Sequence, residues 1–427
     1  MVIKRGEYID QLVQKRGNGM VKVITGIRRC GKSYILFNLF RDYLLSTGVS
    51  PDQIIAVSLD DERNRYLREP NALYDYLVAN IKDPKRMYYV LLDEAQLAIS
   101  RDEAKERDIR LYGILNSMLH MGNVDVYVTG SNSEFLSSDV LTEFRGRGDQ
   151  VRIYPLSFRE FMSVYEGDKY SGFEEYCRYG GLPLIPSLKT DEQKSQYLKT
   201  LFQETYMKDI IERYNLRRDV ILDPLIDILA SSVGSLTNAT KLANTLISKG
   251  IKTNKNTIAT YIGYLEEAFM VSKAQRYDIK GKHYIGSPFK FYFTDVGLRN
   301  ARLNFRQQEP TYILENVIYN ELLIRGYNVD VGIVDYWINR KGNRSSLKRS
   351  EVDFVCNMFS KRYYIQSAFA IPDREKMAQE QALFDHIDDS FKKIIVVQTR
   401  TPTYQNENGT LIIDALDFLL NPNSLEL

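Results

Sequence analysis

The sequence predicts an α/β fold that begins with a parallel sheet and continues into a helical region and a second, mixed α/β part. Residues 21–165 alternate short apolar runs with longer helical stretches, which is the pattern of a parallel sheet covered by helices. From about residue 157 to 230 helical periodicity replaces the apolar runs, and mixed strand and helix patterns return after residue 312. A chain of 427 residues is long enough to hold more than one such core.

The composition is that of a soluble globular protein, and it favours no charged partner for the chain as a whole. Lys and Arg number 57 against 55 Asp and Glu, so any nucleic-acid surface has to be local. With only three His residues, the sequence disfavours a His-based metal centre or a Ser-His-Asp hydrolase. Three widely spaced cysteines fit a reducing compartment, and no apolar run reaches the length of a bilayer span. We therefore expect a cytoplasmic protein that does not cross a membrane.

The first predicted strand, VKVIT, leads into the loop GIRRCGKS and then into the amphipathic helical stretch SYILFNLFRDYLLSTG. The loop completes the pattern G-x-x-x-x-G-K-[ST]. Backbone N–H groups of such a loop and of the following helix N-terminus converge on phosphate oxygens, so the variable positions tolerate other side chains. We expect Lys32 to contact the β and γ oxygens of a nucleotide and the Ser33 hydroxyl to ligate Mg²⁺. The residues assigned to nucleotide binding are Gly26, Ile27, Arg28, Arg29, Cys30, Gly31, Lys32 and Ser33.

The run YYVLLDE, residues 88–94, predicts the second part of the site. An apolar run that ends in an acid describes a buried parallel strand, and this strand delivers Asp93 to the sheet edge where ligands bind. We expect Asp93 to hold Mg²⁺ through water. Glu94 is the candidate base that polarises the attacking water, the role that separates a hydrolysing ATPase from a protein that only binds ATP.

The run VDVYVTGSNS, residues 124–133, predicts a further buried strand that ends in small polar residues. Beside the strand that carries the acid, such an end senses the γ-phosphate, and Asn132 is the first candidate with Ser131 second. An ordinary Gly-Ser-Asn turn is the alternative. Downstream, Arg145 or Arg147 is a candidate arginine finger for the site of a neighbouring subunit in a homo-oligomer, with solvated turn residues as the alternative.

Residues 224–295 predict three helices followed by a hairpin that turns at Gly281, and Thr253 or Asn254 is positioned to cap the third helix. The last two helices and the hairpin resemble a winged helix. Lysines fall around the turn, the helix start and the wing tip, where such a module meets phosphates. These lysines are Lys249, Lys252, Lys255, Lys280 and Lys282. They predict DNA contact, and a packing or protein-docking module is the alternative.

Several strings together resemble one known family, the bacterial and archaeal AAA-type ATPases in which an N-terminal ATPase domain precedes a C-terminal domain of uncharacterised function. The N-terminal strings are VITGIRRCGKS, LLDEAQ, TGSNS, RGRGDQVRIYPLSFREF and YGGLP. The resemblance continues through YIGYLEEAFMV, KFYFTDVGLRNA, LENVIYNELLIRGY and EVDFV, so it spans nearly the whole chain. It implies an AAA-type ATP-binding domain with residues 26–33 on the phosphates and Asp93 on Mg²⁺. Relatives commonly have a small residue where Cys30 stands.

The last segment predicts a helix, three strands, a helix near residues 373–388 and the strand KKIIVVQT. This order resembles the restriction-endonuclease-like fold, in which an acid on the first helix, an Asp on a strand and a Glu-x-Lys on the next strand hold a metal. Glu315 and Asp353 match the first two positions, Glu351 lies nearby, and a string that begins at Gln366, QSA, replaces Glu-x-Lys. We therefore expect a structural or partner-binding remnant rather than an active nuclease, because a carboxylate and the lysine are missing.

The stretch KGNRSSLKR, residues 341–349, predicts a basic hairpin loop that is either solvated or in contact with nucleic acid. The predicted domains are an ATPase domain (1–160), a helical lid or connector (161–220), a winged-helix domain (221–300) and a nuclease-like α/β domain (301–427). The predicted function is an ATP-binding AAA-type ATPase that hydrolyses ATP with Mg²⁺ and couples this to DNA binding. The alternative is an ATP-switched regulatory or scaffold protein that docks other proteins.

Overall fold

The computed structural model describes residues 3–100, 103, 109–130, 148–216, 220–306, 309–340, 344–369 and 380–427. The chain divides into two compact units. The N-terminal unit comprises residues 2–155 and 267–269, and the C-terminal unit comprises residues 156–266 and 270–427. Within the described ranges, no helix combines the length and the apolar character that a membrane span requires. The four domain boundaries given above remain predictions.

The N-terminal unit is built on a five-stranded sheet in which every pairing is parallel. Its strands are β1 (Val21–Thr25), β2 (Ile54–Ser58), β3 (Tyr88–Asp93), β4 (Val124–Thr129) and β5 (Gly148–Arg152). Their order is β2-β3-β4-β1-β5, so β4 lies between the strand that precedes the glycine-rich loop and the strand that ends in the acid. Every residue of β1, β3 and β4 is buried, which is why these strands are near-continuous apolar runs. The predicted parallel α/β sheet is confirmed.

One helix precedes the first strand, and the other helices and turns lie between strands along the chain. They are α1 (Gly6–Gln14), α2 (the consecutive segments Lys32–Tyr34, Ile35–Phe40 and Arg41–Ser46), α3 (Pro70–Asn80), α4 (Arg110–His120) and the 3₁₀ turns Pro51–Gln53, Glu62–Arg68 and Ala95–Ala98. Leu73 and Leu77 of α3 join Leu111 and Leu115 of α4 in a cluster with buried strand residues. Burial of these side chains, at about 25 cal/mol per Å² of apolar surface, holds the helices on the sheet.

The C-terminal unit begins with helices that confirm the periodicity read from the sequence. They are α5 (Phe158–Met162), α6 (Lys169–Tyr179), α7 (the segments Asp191–Thr200, Leu201–Met207 and Lys208–Arg213), α8 (Leu222–Ser231), α9 (Ala239–Ser248) and α10 (Lys255–Glu267). Ser157 and Glu160 form a capping box on α5. Asn254 caps α10 by accepting from the N–H groups of Asn256 and Thr257.

An eight-stranded mixed sheet forms the rest of this unit. Its strands are β6 (Val271–Asp278), β7 (His283–Phe293), β8 (Asn328–Arg340), β9 (Arg344–Met358), β10 (Lys361–Ala368), β11 (Lys392–Val397), β12 (Tyr404–Gln405) and β13 (Leu411–Asp414). The order is β12-β13-β11-β10-β9-β8-β6-β7. The accompanying helices are α11 (Val296–Arg302), α12 (Pro310–Ile324), α13 (Ala415–Leu420) and the 3₁₀ turns Ile185–Ser187 and Phe384–His386. The mixed α/β character predicted for the C-terminal part is confirmed.

Three details of this sheet differ from the sequence-based expectation or extend it. The hairpin β6–β7, predicted as a wing, pairs through β6 with β8 and so belongs to the C-terminal sheet. Strand β9 begins at Arg344, so the described part of the predicted basic loop is paired strand rather than loop. Strands β12 and β13 were not predicted. Of the helix predicted near residues 373–388, residues 373–379 fall outside the described residues, and the described part contains the 3₁₀ turn Phe384–His386.

The string YGGLP has a structural role inside the C-terminal unit. The buried carboxylate of Asp295 accepts from the N–H of Gly181 at 2.8 Å and from the N–H of Leu298, at the start of α11, at 3.0 Å. A Cβ on Gly180, whose φ is 74°, would lie 2.2 Å from an Asp295 oxygen. Burial raises the pKa of Asp295 to about 6. The string therefore packs the end of α6 against the start of α11.

Candidate active site

The glycine-rich loop lies where the sequence predicts, between the end of β1 and the start of α2. Gly26 has a φ of 141°, and a Cβ at this position would lie 2.1 Å from the carbonyl oxygen of Ile153, just beyond β5. Gly31 has a φ of 99° and precedes the first turn of α2. Both conformations favour glycine, because L side chains clash in this region of backbone space. The loop is therefore held against the end of β5 at a distance that only glycine allows.

Lys32 is buried, and its side chain folds over the loop that precedes it. The ammonium Nζ donates to the carbonyl oxygens of Gly26 at 3.0 Å and Ile27 at 3.1 Å. Ile27 is buried as well, whereas Arg28 is half-buried and Arg29, with a φ of 64°, is exposed. The variable positions of the loop thus include one buried apolar side chain, that of Ile27, and two basic side chains nearer the solvent.

Cys30 anchors the loop to the segment that follows β5. Its buried thiol donates to the Ile153 carbonyl oxygen at 3.5 Å, and its own carbonyl oxygen accepts from Nη1 of Arg5 at 2.9 Å. The guanidinium of Arg5 also donates to the carbonyl oxygens of Tyr154 at 2.9 Å and Pro155 at 3.3 Å. Arg5 thereby ties the loop to the segment after β5. Sequence reasoning missed Arg5, because nothing local marks a contact that spans so many residues.

Asp93, at the end of β3, meets the loop through a hydroxyl. Its buried Oδ1 accepts from the Ser33 hydroxyl at 2.9 Å and from the Thr129 hydroxyl at the end of β4. Burial raises the pKa of Asp93, and the two hydroxyl hydrogen bonds oppose that rise. The ends of β1, β3 and β4 therefore lie at one edge of the sheet. There the structure brings together Ser33 and Asp93, the two residues that the sequence assigned to a metal.

Glu94 follows Asp93 with a φ of 52°, which turns the chain out of the strand. Its N–H donates to the Thr129 hydroxyl oxygen at 3.1 Å, and its carboxylate accepts from the side chain of Gln96. Thr129 was not among the predicted residues, yet it bridges both acids. Its position at the end of the VDVYVT strand is the signal that marks it.

The other predicted site residues lie outside the described residues. They are Ser131, Asn132, Arg145 and Arg147. Among the residues that are described, no group of three or more His, Cys, Asp or Glu side chains is arranged to hold a metal ion. The Ser33–Asp93 pair is a smaller set, and Mg²⁺ uses such a set together with phosphate oxygens and water.

The nuclease-like carboxylates also come together, but around an ammonium group. Nζ of Lys290, on β7, lies 2.8 Å from Glu315, 2.6 Å from Glu351 and 3.4 Å from Asp353. The Tyr292 hydroxyl donates to Glu315 at 2.6 Å. Lys290 was not predicted, because it lies in the hairpin rather than in the strands that carry the acids.

The electrostatics of this cluster follow from three acids facing one base. Burial, reinforced by the negative charge of Asp353, raises the pKa of Glu315 to about 7. Burial disfavours the charged form of Lys290 and lowers its pKa. The carboxylates of Asp353, Glu315 and Glu351 outweigh burial, so the pKa of Lys290 is raised overall. Asp353 also accepts from the N–H and hydroxyl of Ser367 at 2.9 and 3.1 Å. The carboxylates of this cluster are thus paired with hydrogen-bond donors of the protein and with the Lys290 ammonium.

Comparison with known families agrees with the parallel sheet and the glycine-rich loop of the N-terminal unit. Residues 18–162 match the family model of an AAA domain, and residues 170–309 match that of a domain of unknown function (DUF8612). The parallel sheet, the glycine-rich loop and this match define the N-terminal unit as a P-loop ATPase domain of the AAA type.

Relatives extend the comparison to the whole chain. An uncharacterized protein of Haemophilus influenzae is 32% identical over 428 residues, which cover 98% of this chain and 99% of that protein. The chain belongs to the same family as this protein. The uncharacterized protein MJ1544 of Methanocaldococcus jannaschii is 27% identical over 426 residues, covering 92% of this chain and 89% of its own length. A solved structure, the Walker-type ATPase PABY2304 of Pyrococcus abyssi, matches with a TM-score of 0.49 at 14% identity, covering 71% of this chain and 96% of that one.

Proposed function

We propose that the N-terminal unit binds ATP with Mg²⁺ and hydrolyses it, and that the C-terminal unit binds DNA with an affinity that depends on the bound nucleotide. The observation that carries the first part is the 2.9 Å hydrogen bond between Ser33 and the buried Asp93, with Glu94 next in the chain. A hydroxyl from the loop and an acid from the neighbouring strands are the two protein groups that the predicted magnesium site needs.

Binding of the triphosphate rests on the loop and on Lys32. The Lys32 ammonium now donates to neutral carbonyl oxygens of its own loop. Phosphate oxygens are charged acceptors and form stronger hydrogen bonds with an ammonium, so ATP would draw Lys32 from these carbonyls to the β and γ oxygens. The loop N–H groups and the N-terminus of α2 supply the remaining donors.

Mg²⁺ would be held by the Ser33 hydroxyl and, through water, by Asp93. The fit is electrostatic as well as geometric, because a buried carboxylate whose pKa is raised gains stability from a nearby cation. A metal ion bound there would neutralise the charge that develops on the phosphate oxygens. Asp93 in turn is held through Oδ1 by the hydroxyls of Ser33 and Thr129, so the direction of its other oxygen is set.

Hydrolysis needs a base beside the γ-phosphate, and we assign it to Glu94. Its backbone is fixed by the Thr129 hydroxyl and its carboxylate by Gln96, so the side chain that orients the water is held at the sheet edge. A positioned base of this kind contributes roughly 10²–10⁴-fold to the rate. Asn132, with Ser131 as second candidate, completes the proposal as the γ-phosphate sensor, and Arg145 or Arg147 as a finger in a neighbouring copy.

The DNA part of the proposal rests on exposed basic residues of the C-terminal unit. The lysines predicted to meet phosphates are all exposed, namely Lys249, Lys252, Lys255, Lys280 and Lys282. Lysines at a helix start and at a hairpin tip are accessible to a phosphate backbone. The acid cluster around Lys290 is assigned a structural role in this proposal, with no cleavage chemistry.

Steady-state ATP turnover of the full chain, with and without DNA, tests the proposal. Lys32→Ala should abolish nucleotide binding. Glu94→Gln should retain ATP binding and lose roughly 10²–10⁴-fold in turnover, because only the base is removed. Turnover by the unchanged protein should rise when DNA is added.

Glu62→Gln is the matched control, since this acid of the same unit has a side chain that is 71% exposed and lies in a 3₁₀ turn. It should leave turnover unchanged. Full turnover by Glu94→Gln would remove Glu94 from the mechanism. Turnover indifferent to DNA, together with DNA binding that is absent at low salt, would favour a protein-docking switch over a DNA-coupled ATPase.

A further inference from the structure

Strands β8 and β9 continue as a two-stranded ribbon beyond the rest of the sheet. The pairing of β6 with β8 ends at Ile333, and the pairing of β10 with β9 begins at Phe354. From Asp335 onward β8 is paired only with β9 in the described ladders, through Arg349 and the residues before it. The ribbon therefore has two faces of its own, with side chains alternating between them.

One face of the ribbon is packed and the other is open. On the packed face, the Tyr336 ring stacks on His386 with the ring centroids 3.6 Å apart. On the open face, Trp337 and Leu347 lie directly opposite each other, 68% and 54% exposed. Trp337 is the single tryptophan of the chain. An exposed tryptophan beside an exposed leucine is an apolar platform on the surface, and we call this pair the ribbon platform.

Basic residues lie on the ribbon itself and on the turn at its base. Arg349 pairs with Asp335, two residues before Trp337, and its side chain is 58% exposed. The N–H of Ile279 donates to the Ile333 carbonyl oxygen at 3.0 Å, which fixes the β6–β7 turn beside the base of the ribbon. That turn carries exposed Lys280 and Lys282.

The charges of the turn and the ribbon act on one another. The hydrogen bond from Arg349 lowers the pKa of Asp335, and the positive charges of Arg276 and Lys280 lower it further. The exposed basic residues of the turn and of the Trp337 face are Lys280, Lys282 and Arg349, and the acids among them are Asp278 and Asp335, whereas Arg276 is buried and Lys348 lies over the Tyr336 ring on the packed face. The structure thus places the predicted wing tip beside the base of the ribbon that contains the described end of the predicted basic loop, although the two are far apart in sequence.

We propose that the ribbon platform and the basic residues around it bind single-stranded DNA. This inference rests on the DNA-binding part of the proposed function and places that binding on a surface. A tryptophan ring stacks on an unpaired base, and lysines and arginines beside it track the phosphates. The apolar area is only two side chains wide, with Arg349 on the same ribbon and Lys280 and Lys282 on the turn at its base, and it suits a stacked base better than the larger apolar core of a protein interface.

The single tryptophan makes the test direct. Fluorescence of the full-length protein is titrated with oligothymidine, and in parallel with an abasic oligomer of equal length and charge. Stacking predicts that oligothymidine quenches the Trp337 emission and that the abasic oligomer binds more weakly without the same quenching. Equal binding and equal quenching by the two would overturn stacking on Trp337.

Variants are compared by anisotropy of labelled oligothymidine. Trp337→Ala should weaken binding by roughly 5- to 150-fold, and Trp337→Phe should recover most of the affinity, because a ring that stacks is restored. The double variant Lys280→Ala with Lys282→Ala should reduce the slope of log affinity against log salt by about 1.4, because each ion pair with a single-strand phosphate contributes about 0.7 to that slope. Tyr404→Ala, which removes an aromatic residue 43% exposed on β12 at the other edge of the sheet, is the control and should change neither quantity.

The outcomes separate this inference from the function beneath it. If labelled DNA binds but Trp337→Ala binds as well as the unchanged protein, the surface is wrong and the DNA-binding proposal stands. If no oligonucleotide binds at low salt, the DNA-binding proposal fails and this inference fails with it. Tighter binding of duplex than of single-stranded DNA would overturn the choice of an unpaired partner.

Discussion

At the scale of single residues, the site depends on one buried carboxylate that two hydroxyls hold from two directions. Asp93 accepts from Ser33 of the loop and from Thr129 of β4, and Thr129 also accepts from the N–H of Glu94. The hydroxyl of Thr129 therefore sets the positions of both acids. A role of this kind belongs to a positioning residue, since Thr129 acts through Asp93 and Glu94.

Thr129→Val tests this role, because valine keeps the shape and removes the hydroxyl. The change leaves a buried carboxylate oxygen and a backbone N–H each short of a partner, which should lower the free energy of unfolding by about 1–3 kcal/mol. ATP turnover should fall more than ATP affinity, since the base loses its support. Urea unfolding and steady-state turnover measure the two effects.

Thr47→Val is the comparison for that variant. Thr47 also uses its hydroxyl within the N-terminal unit, but it donates to the Leu44 carbonyl oxygen from an exposed position at the end of α2. Its loss should change turnover little. Equal effects of the two substitutions would show that Thr129 contributes only a general hydrogen bond.

A second prediction at this scale concerns the glycine of the loop. Gly26→Ala would place a methyl group 2.1 Å from the Ile153 carbonyl oxygen, so the loop has to move and nucleotide affinity should fall at least tenfold. Gly113→Ala, in α4, meets no atom within 4 Å and should instead raise the free energy of unfolding by about 0.5–1 kcal/mol. Calorimetric ATP titration and thermal unfolding would measure the pair, and unchanged affinity in Gly26→Ala would contradict the close approach.

At the scale of elements, the C-terminal sheet is fastened to α12 by the cluster around Lys290. The base comes from β7, one acid from α12 and the other two from β9. Burial, reinforced by the charge of Asp353, outweighs the opposing effect of Lys290 and raises the pKa of Glu315 to about 7 from its ordinary 4.5. The folded protein therefore binds a proton more tightly than the unfolded chain between these two values.

This shift predicts a pH dependence with a definite sign. The contribution of Glu315 to stability is fully present below pH 4.5 and is lost as the pH rises through about 7, because the raised pKa belongs to the folded state. Relative to Glu315→Gln, the unchanged protein should lose roughly 1–3 kcal/mol of unfolding free energy across this range. Urea unfolding at several pH values measures the difference, and parallel profiles of the two proteins would contradict the shift.

The sequence predicted those elements whose pattern is strong and local. Strands β1, β3 and β4 are unbroken buried apolar runs, and the loop after β1 has a specific spacing, so both the sheet and the placement of Asp93 followed. Strand β5 was missed because GDQVR is mostly polar, and β12 and β13 were missed because they are only two and four residues long.

Contacts between distant segments could not be predicted from local pattern. Arg5 reaches the end of β5 across about 150 residues, and Lys290 joins acids on α12 and β9 from a hairpin that was assigned to another module. The pairing of β6 with β8 is parallel and spans two helices, so only the assembled sheet reveals it. Long-range pairing of this kind is decided by tertiary packing.

At the scale of the whole molecule, the chain itself connects the two units and offers a route for the proposed coupling between ATP and DNA. The chain passes between the units at residues 155–156, 266–267 and 269–270. The first passage follows directly on β5 and the segment that Arg5 ties to the loop. A change in the loop on ATP binding or hydrolysis thus has a short route along the chain into α5, and a bistable element on this route would serve as the switch.

The measurement that tests the central claim is the affinity of Glu94→Gln for single-stranded DNA in saturating ATP and in saturating ADP. This variant should bind ATP without consuming it, so each nucleotide state can be held at equilibrium. If the allosteric coupling free energy between the two sites has its usual size, the two DNA affinities should differ at least about fivefold. DNA should then change the relative affinity for ATP and ADP by the same factor. Identical DNA affinities in ATP and ADP would contradict the account, because the nucleotide site would then exert no influence on the DNA surface.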